Sequence, residues 1–272
     1  MMKYEELWNS RKKLLWKHDL IHCITNPISM NDCANAVLAL GAKPIMAQHP
    51  DEVEEITKQS KALALNLGNF DDIRKVAMWR SLSIAKTHQI PVILDLVGVG
   101  CSSLRLSYAK KMIAECCPNV IKGNLSEIRA IAGKTSHAKG IDVGIADIES
   151  ELKSATWIKA FAKQHHCVVL CSGKHDIISD GDRTHVVENG CEMMTLCTGT
   201  GCMLNVITAS FLSVLPSLEA SVMACSYFGV VAQQCHVHAK APGSFHYQLF
   251  DWLYSLSEQD FMEHAKISEV TV

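Results

Sequence analysis

Short apolar segments alternate with longer amphipathic ones along most of this chain, and this alternation constrains the fold most strongly. Near-continuous apolar runs occur at 20–24, 62–67, 91–95, 120–121 and 167–171. Segments with helical periodicity lie between them, including 71–88 and 151–165. Fully apolar strands separated by helices are typical of a mostly parallel sheet that is covered by helices on both faces. The sequence therefore predicts an α/β fold.

The pattern predicts a single domain spanning residues 1–272. No internal repeat, low-complexity tract or linker rich in Pro, Gly or Ser divides it. Segments 177–179 and 184–187 flank Asp180-Gly181-Asp182, which predicts a β-hairpin. Residues 133–148 have no clear periodicity, and we predict a loop there.

Two helix details are also expected. Asn31 and Asp32 are suited to cap a helix that continues to Leu40 and closes at Gly41. In the helix at 71–88, the spacing predicts that the following side chains face inward: Ile73, Val76, Ala77 and Ile84.

The composition excludes several classes of protein. A net charge of -2, from 26 basic and 28 acidic residues, lacks the basic excess of nucleic-acid-binding proteins. The longest apolar stretches, 202–215 and 220–232, are too short or too interrupted to cross a membrane. The N-terminus has no signal-peptide core, and none of the 12 cysteines is spaced C-x-x-C. We therefore expect free thiols, a cytoplasmic location, and neither a nucleic-acid nor a membrane partner.

The segment Thr198-Gly199-Thr200-Gly201-Cys202 is the main candidate binding site, because a predicted apolar helix follows it directly. Glycines let the backbone approach a ligand, and a helix start presents unpaired N–H groups with the positive end of its dipole. Such a site suits phosphate, with Gly199, Thr200 and Gly201 as an anion hole. We expect it to acidify the Cys202 thiol towards a thiolate that takes a proton during phosphoryl transfer. A plain loop-to-helix junction gives the same pattern.

Three polar residues directly follow predicted strands, namely Asp95, Lys122 and Ser172. Ligands of open α/β sheets bind at the carboxyl ends of strands, which makes all three candidates for the site. Alternatively, Asp95 caps a helix or a turn, and Ser172 simply opens a turn.

Glu127 has two interpretations. Asn124-Leu125-Ser126-Glu127 has the form of a capping box, and the pattern alone favours capping. The functional interpretation is that Glu127 and Asp95 hold a hydrated Mg²⁺, while Lys122 offers a charge to phosphate. The P-loop sequence G-x-x-x-x-G-K-[ST] is absent, so a nucleotide site here is not of that type.

Together these segments resemble the hydroxyethylthiazole kinase family of the ribokinase-like superfamily. The resemblance runs nearly end to end. Further segments that carry it are Thr25-Asn26-Pro27, 31–35, 38–47, Leu65-Asn66-Leu67-Gly68, Gly140-Ile141-Asp142, Gly243-Ser244-Phe245 and 269–272. It implies a single ribokinase-like domain that transfers phosphate from ATP, with Mg²⁺, to the hydroxyl of 4-methyl-5-(2-hydroxyethyl)thiazole in thiamin salvage.

The resemblance also implies a homotrimer with active sites between subunits. Carried over by position, the substrate contacts are Met46, Gly199 and Asn26. The ATP contacts are Lys122, where the family usually has Arg, and Ser172, where it usually has Thr.

Cys202 occupies the position at which related sugar kinases carry an aspartate base. A thiol with a pKa of about 8.5 is a weak base at neutral pH. Two other functions stay open. A cysteine-nucleophile hydrolase requires a His and an Asn or Asp beside Cys202. A thiazole or nucleotide sensor requires binding without turnover.

Overall fold

The computed structural model describes residues 3–134 and 151–272. Apart from Gly133 and Lys134, the predicted loop at 133–148 lies outside the described residues, as does the segment Gly140-Ile141-Asp142.

A sheet of nine strands runs through the described residues in the order β2-β1-β3-β4-β5-β6-β7-β8-β9. The strands from β2 to β6 pair in parallel, and β7, β8 and β9 pair antiparallel. Their bounds are β1 Leu20–Ile24, β2 Lys43–Ile45, β3 Ala62–Asn66, β4 Val92–Asp95, β5 Val120–Asn124, β6 Val168–Ser172, β7 Asp176–Ser179, β8 Thr184–Val187 and β9 Ile267–Glu269. The mostly parallel sheet and the hairpin of β7 and β8 are confirmed.

Helices cover both faces of the sheet, as predicted. One face carries α1 Tyr4–Lys17, α2 Met30–Ala39, α8 Thr200–Leu212, α9 Ser217–His238, α10 Pro242–Ser255 and α11 Glu258–His264. The other carries α3 Val53–Gln59, α4 Asp72–Thr87, α5 Ser103–Cys116, α6 Leu125–Ile131 and α7 Glu151–His165. Short 3-10 helices lie at Pro27–Ser29 and Glu192–Leu196.

Strand β3 shows why these strands are apolar on both sides. Successive strand side chains point to opposite faces, so Ala62 and Ala64 join the core under α8 while Leu63 and Leu65 join the other core. The two alanines leave room for α8 to lie close to the sheet. Asn205 of α8 donates to the carbonyl of Leu65 at 3.2 Å, which fixes the helix over the end of β3.

The inward face of α4 differs from the prediction. Ile73 and Val76 are exposed, by 59% and 43%, whereas Ala77 is buried as expected. Arg74 is fully buried instead, and its guanidinium donates to the backbone carbonyls of Asn66, Gly68 and Asn69. Arg74 therefore points inward and supplies hydrogen-bond donors to backbone carbonyls at and after the end of β3. The spacing of apolar residues alone does not reveal such a polar contact.

The predicted cap of α2 is also wrong. The helix begins at Met30, so Asn31 and Asp32 lie inside its first turn, and Asp32 pairs with His246 at 3.0 Å. The predicted end is confirmed, since Gly41 has φ +85° after the last turn. Among the described residues, no helix combines the length and apolarity that a membrane crossing needs.

Candidate active site

Three neighbouring parallel strands end in polar residues that lie side by side. Asn66, Asp95 and Lys122 are paired in register across β3, β4 and β5. Two positions earlier, the in-register residues Ala64, Ile93 and Val120 belong to the core under α8. Because side chains alternate along a strand, the three polar residues point to the same face, towards the start of α8.

Hydrogen bonds join these strand ends into one network. Lys122 Nζ lies 3.0 Å from Asp95 Oδ2, and both side chains are almost completely buried. Asn66 Nδ2 donates to the same carboxylate oxygen at 3.0 Å. Burial alone would lower the pKa of Lys122, but the charge and hydrogen bond of Asp95, together with the charges of Cys202 and Glu127, outweigh it and the pKa is raised. The lysine therefore stays positively charged in a buried site.

The segment before α8 has the geometry of an anion site. Gly199 has φ +95°, a conformation that favours glycine, and a Cβ there would lie 2.9 Å from Ser29 Cβ. No side chain caps the helix, and within the described residues the N–H groups of Thr200, Gly201 and Cys202 donate to no protein acceptor. A Cβ on Gly201 would lie 3.8 Å from Lys122 Nζ, so a lysine charge adjoins these N–H groups. The arrangement suits a phosphate oxygen.

The hydroxyl of Thr200 is used within the protein. It donates to the carbonyls of Met194 and Cys197, at 3.1 and 3.3 Å. These bonds tie the start of α8 to the preceding 3-10 helix, so the backbone, rather than this hydroxyl, is the part of Thr200 that faces a ligand.

Cys202 lies in the first turn of α8 and contacts the strand-end network. Asn66 Nδ2 donates to its sulfur at 3.3 Å. The expectation of an acidified thiol is wrong, because burial and then the charge of Asp95 raise the pKa of Cys202. Hydrogen bonds from Ser29 and Asn66 and the charge of Lys122 oppose that rise without cancelling it.

Glu127 forms the capping box. Asn124 Oδ1 accepts from the N–H of Glu127, and Glu127 Oε2 accepts from the N–H of Asn124, each at 2.9 Å. The other oxygen, Oε1, accepts from Gly98 N–H at 2.8 Å, which also anchors the loop after β4. The structural interpretation of Glu127 is therefore confirmed.

The ionisation of Glu127 bears on whether this residue fits a Mg²⁺ site. Burial, followed by the charge of Asp95, raises the pKa of Glu127 to about 7. A hydrated cation beside the two carboxylates would favour their charged forms, so they fit a metal held through water. No cluster of three or more His, Cys, Asp or Glu ligands occurs in residues 3–134 and 151–272, so water and phosphate oxygens would supply the remaining ligands of such an ion.

The other predicted site residues lie at the same edge of the sheet. Asn26 follows β1, and its Oδ1 accepts from Ile28 N–H and from Asn69 Nδ2. Met46 follows β2 and packs, partly buried, against the core that contains Cys202. Ser172 ends β6, and its hydroxyl donates to Gly123 carbonyl at 3.4 Å. The strand-end location of Ser172 agrees with the prediction, while the ligand roles of Asn26, Met46 and Ser172 stay predictions.

Sequence reasoning gave no role to two residues that hold the site together. Asn66 bridges Asp95 and Cys202, and the signal for it was available, because it ends an apolar strand as Asp95 does. Arg74 supports the backbone after Asn66 from inside a polar helix, a position that carries no sequence signal.

Known proteins match this chain over nearly its whole length. The model of the hydroxyethylthiazole kinase family matches residues 12–259. The chain belongs to that family. Hydroxyethylthiazole kinase 2 of Clostridium botulinum is 49% identical over 261 residues, which cover 95% of this chain and 98% of the relative.

Solved structures of related proteins share the fold. The hydroxyethylthiazole kinase structure from Pyrococcus horikoshii has a TM-score of 0.90 at 34% identity, covering 98% of this chain and all of that one. A ribokinase-like superfamily protein from Enterococcus faecalis has a TM-score of 0.57 at 12% identity, covering 91% of this chain and 95% of that one. That second likeness concerns the fold alone, which is a single ribokinase-like α/β domain.

Proposed function

We propose that this chain, as a kinase of the hydroxyethylthiazole kinase family, transfers the γ-phosphoryl group of ATP to the hydroxyl of 4-methyl-5-(2-hydroxyethyl)thiazole. The observation that carries the proposal is the start of α8, where three N–H groups that find no acceptor among the described residues adjoin the Lys122 ammonium and the Cys202 thiol. An anion cradle beside a proton acceptor is what phosphoryl transfer to an alcohol requires.

In this proposal the chain mainly positions charge. The N–H groups of the α8 start and Lys122 bind phosphate oxygens, and Ser172 contacts the nucleotide. Met46 borders the thiazole ring, since a thioether packs well on an aromatic edge, and Asn26 and Gly199 contact the substrate. Asp95 and Glu127 would hold Mg²⁺ through water, and the ion would offset the phosphate charge.

Cys202 is the proposed acceptor of the hydroxyl proton. Its raised pKa keeps most of the thiol protonated at neutral pH, so proton removal contributes less than positioning does. Asn66, which donates to the sulfur, favours the thiolate once it forms.

We also propose that the protein is a cytoplasmic homotrimer in which a second copy completes each active site. Ile28 and Leu196, in the two 3-10 helices beside the site, are 66% and 65% exposed. Apolar side chains at the rim of a polar site suit contact with another subunit. Light scattering of wild type and Leu196→Asp tests this, and a wild-type monomer with full activity would contradict it.

The experiment that tests the function measures ADP released from MgATP with and without the thiazole, and the mass of the product. We expect release that depends on the thiazole and yields its phosphate. Thiazole binding without ADP release would support a sensor instead. A covalent substrate adduct on Cys202 would support a hydrolase, which the raised pKa of its thiol disfavours.

A further inference from the structure

Two cysteines meet at the edge of the sheet opposite the active site. Cys117 follows α5 and precedes β5, while Cys167 follows α7 and precedes β6. The two connecting segments run side by side, because Asn119 carbonyl accepts from Val168 N–H at 2.9 Å. The Cys117 thiol donates at 3.5 Å to the carbonyl of His165, two residues before Cys167.

The two cysteines differ in their exposure to solvent. Cys117 is exposed and lines an open cavity of about 250 Å³ together with Lys86, Gln89, Cys116 and Asn119. Cys167 is buried, with 6% of its surface exposed. A small solute therefore reaches the exposed sulfur of Cys117 before it reaches the buried sulfur of Cys167.

Charge at the cavity favours reaction at Cys117. The hydrogen bond from Cys167, and to a smaller extent the Lys86 ammonium, lower the pKa of Cys117 despite its partial burial. Lys86 belongs to α4, and its ammonium donates at 2.6 Å to the carbonyl of Glu115 near the end of α5. The Cys167 thiol keeps its proton, because the same hydrogen bond and burial raise its pKa.

We infer that Cys117 and Cys167 form a peroxide-oxidisable dithiol site, with Cys117 as the attacking sulfur and Cys167 as the resolving one. The Cys117 thiolate attacks one oxygen of hydrogen peroxide, the O–O bond breaks, and the other oxygen leaves as hydroxide, which takes a proton to become water. The resulting sulfenic acid is attacked by Cys167, which forms the S–S bond and releases a second water. Two thiols and one peroxide thus give one disulfide and two waters.

The inference is independent of the kinase function, since the site lies at the amino-terminal ends of β5 and β6 and the active site at their carboxyl ends. A bond there closes a loop of roughly 50 residues, which restricts the unfolded chain and stabilises the fold.

The test treats the reduced full-length protein with hydrogen peroxide, alkylates the remaining thiols and maps the peptides by mass spectrometry. We expect one linked pair, Cys117 with Cys167, and a melting temperature that rises by several degrees until dithiothreitol is added. Cys116→Ser, at the adjacent cavity-lining position, should leave the link unchanged.

Two variants of the protein test the order of the two oxidation steps. Cys167→Ala should leave a sulfenic acid on Cys117 that dimedone traps, and Cys117→Ser should abolish both the link and the trapped adduct. The inference is overturned if no link forms, if Cys117→Ser still links Cys167, or if Cys101 or Cys116 is the first thiol oxidised.

Discussion

Two helices begin at the active-site edge of the sheet, and their first turns are completed in opposite ways. Helix α6 closes its own start, because Asn124 and Glu127 exchange hydrogen bonds with each other's backbone. Helix α8 begins after Gly199, which offers no side chain, and its first N–H groups have no protein acceptor in the described part of the chain. The first N–H groups of a helix are therefore available to a ligand only where no side chain caps the helix. The starts of α6 and α8 accordingly need separate tests.

The largest effect should come from Gly199→Val, which adds a side chain where φ is +95° and Ser29 lies 2.9 Å from the new Cβ. We expect kcat/KM to fall by about 10²–10³-fold, as when one preorganised donor is lost from an oxyanion hole, with the fold retained. Steady-state kinetics and circular dichroism measure this. The matched control is Gly243→Ala, because a Cβ on Gly243 meets nothing within 4 Å. Activity within a few-fold of wild type would place the cradle elsewhere.

The second effect concerns the carboxylate of the α6 cap. In the folded state the pKa of Glu127 is about 7, above the usual 4.5, so the stabilisation that is fully present below 4.5 is lost as pH rises through 7. Glu127 should lower the free energy of unfolding by up to about 3 kcal/mol between pH 4.5 and 8.

Urea unfolding at several pH values checks this dependence. Glu127→Gln should flatten it, while exposed Glu115→Gln should not. Mg²⁺ with nucleotide should reduce the wild-type loss if Glu127 holds metal-bound water. An identical pH profile for wild type and Glu127→Gln would exclude the buried proton.

The third effect separates capping from catalysis. Asn124→Ala removes the side-chain acceptor for Glu127 N–H, and we expect the free energy of unfolding to fall by about 1 kcal/mol. Because Asn124 itself is proposed to contact neither phosphate nor metal, kcat should change by less than about twofold. Asn124→Asp keeps an acceptor and is the control. A loss of kcat/KM comparable with that of Gly199→Val would remove the distinction between the two helix starts.

The smallest effect is expected at Cys202. If the thiolate is the base, kcat should rise with pH, because burial holds the pKa of Cys202 above its usual range. Cys202→Asp, whose carboxylate is ionised throughout, should keep or raise turnover at pH 7 and flatten that rise. Cys202→Ser, a similar volume with a much weaker acid, is the control. A fall of about 10²-fold in folded Cys202→Asp would remove Cys202 from this role.

Local patterns were enough to predict most elements of the fold. The apolar runs gave strands β1, β3, β4 and β6 to within one or two residues, and the turn at Asp180-Gly181-Asp182 gave the hairpin of β7 and β8. Strand β9 was not predicted, because three residues of mixed exposure form a strand only through pairing with the distant β8.

The sequence by itself determined which residues end the strands and where a glycine junction starts a helix, because both are properties of neighbouring residues. Only the tertiary structure decided how deeply those residues are buried and which charges lie near them. Asn66 reaches Cys202 across 136 positions, and burial of that thiol, followed by the charge of Asp95, raises a pKa that the helix start alone would lower. Burial and charge act through space, and the distances that set their strength exist only once α8 packs on the sheet.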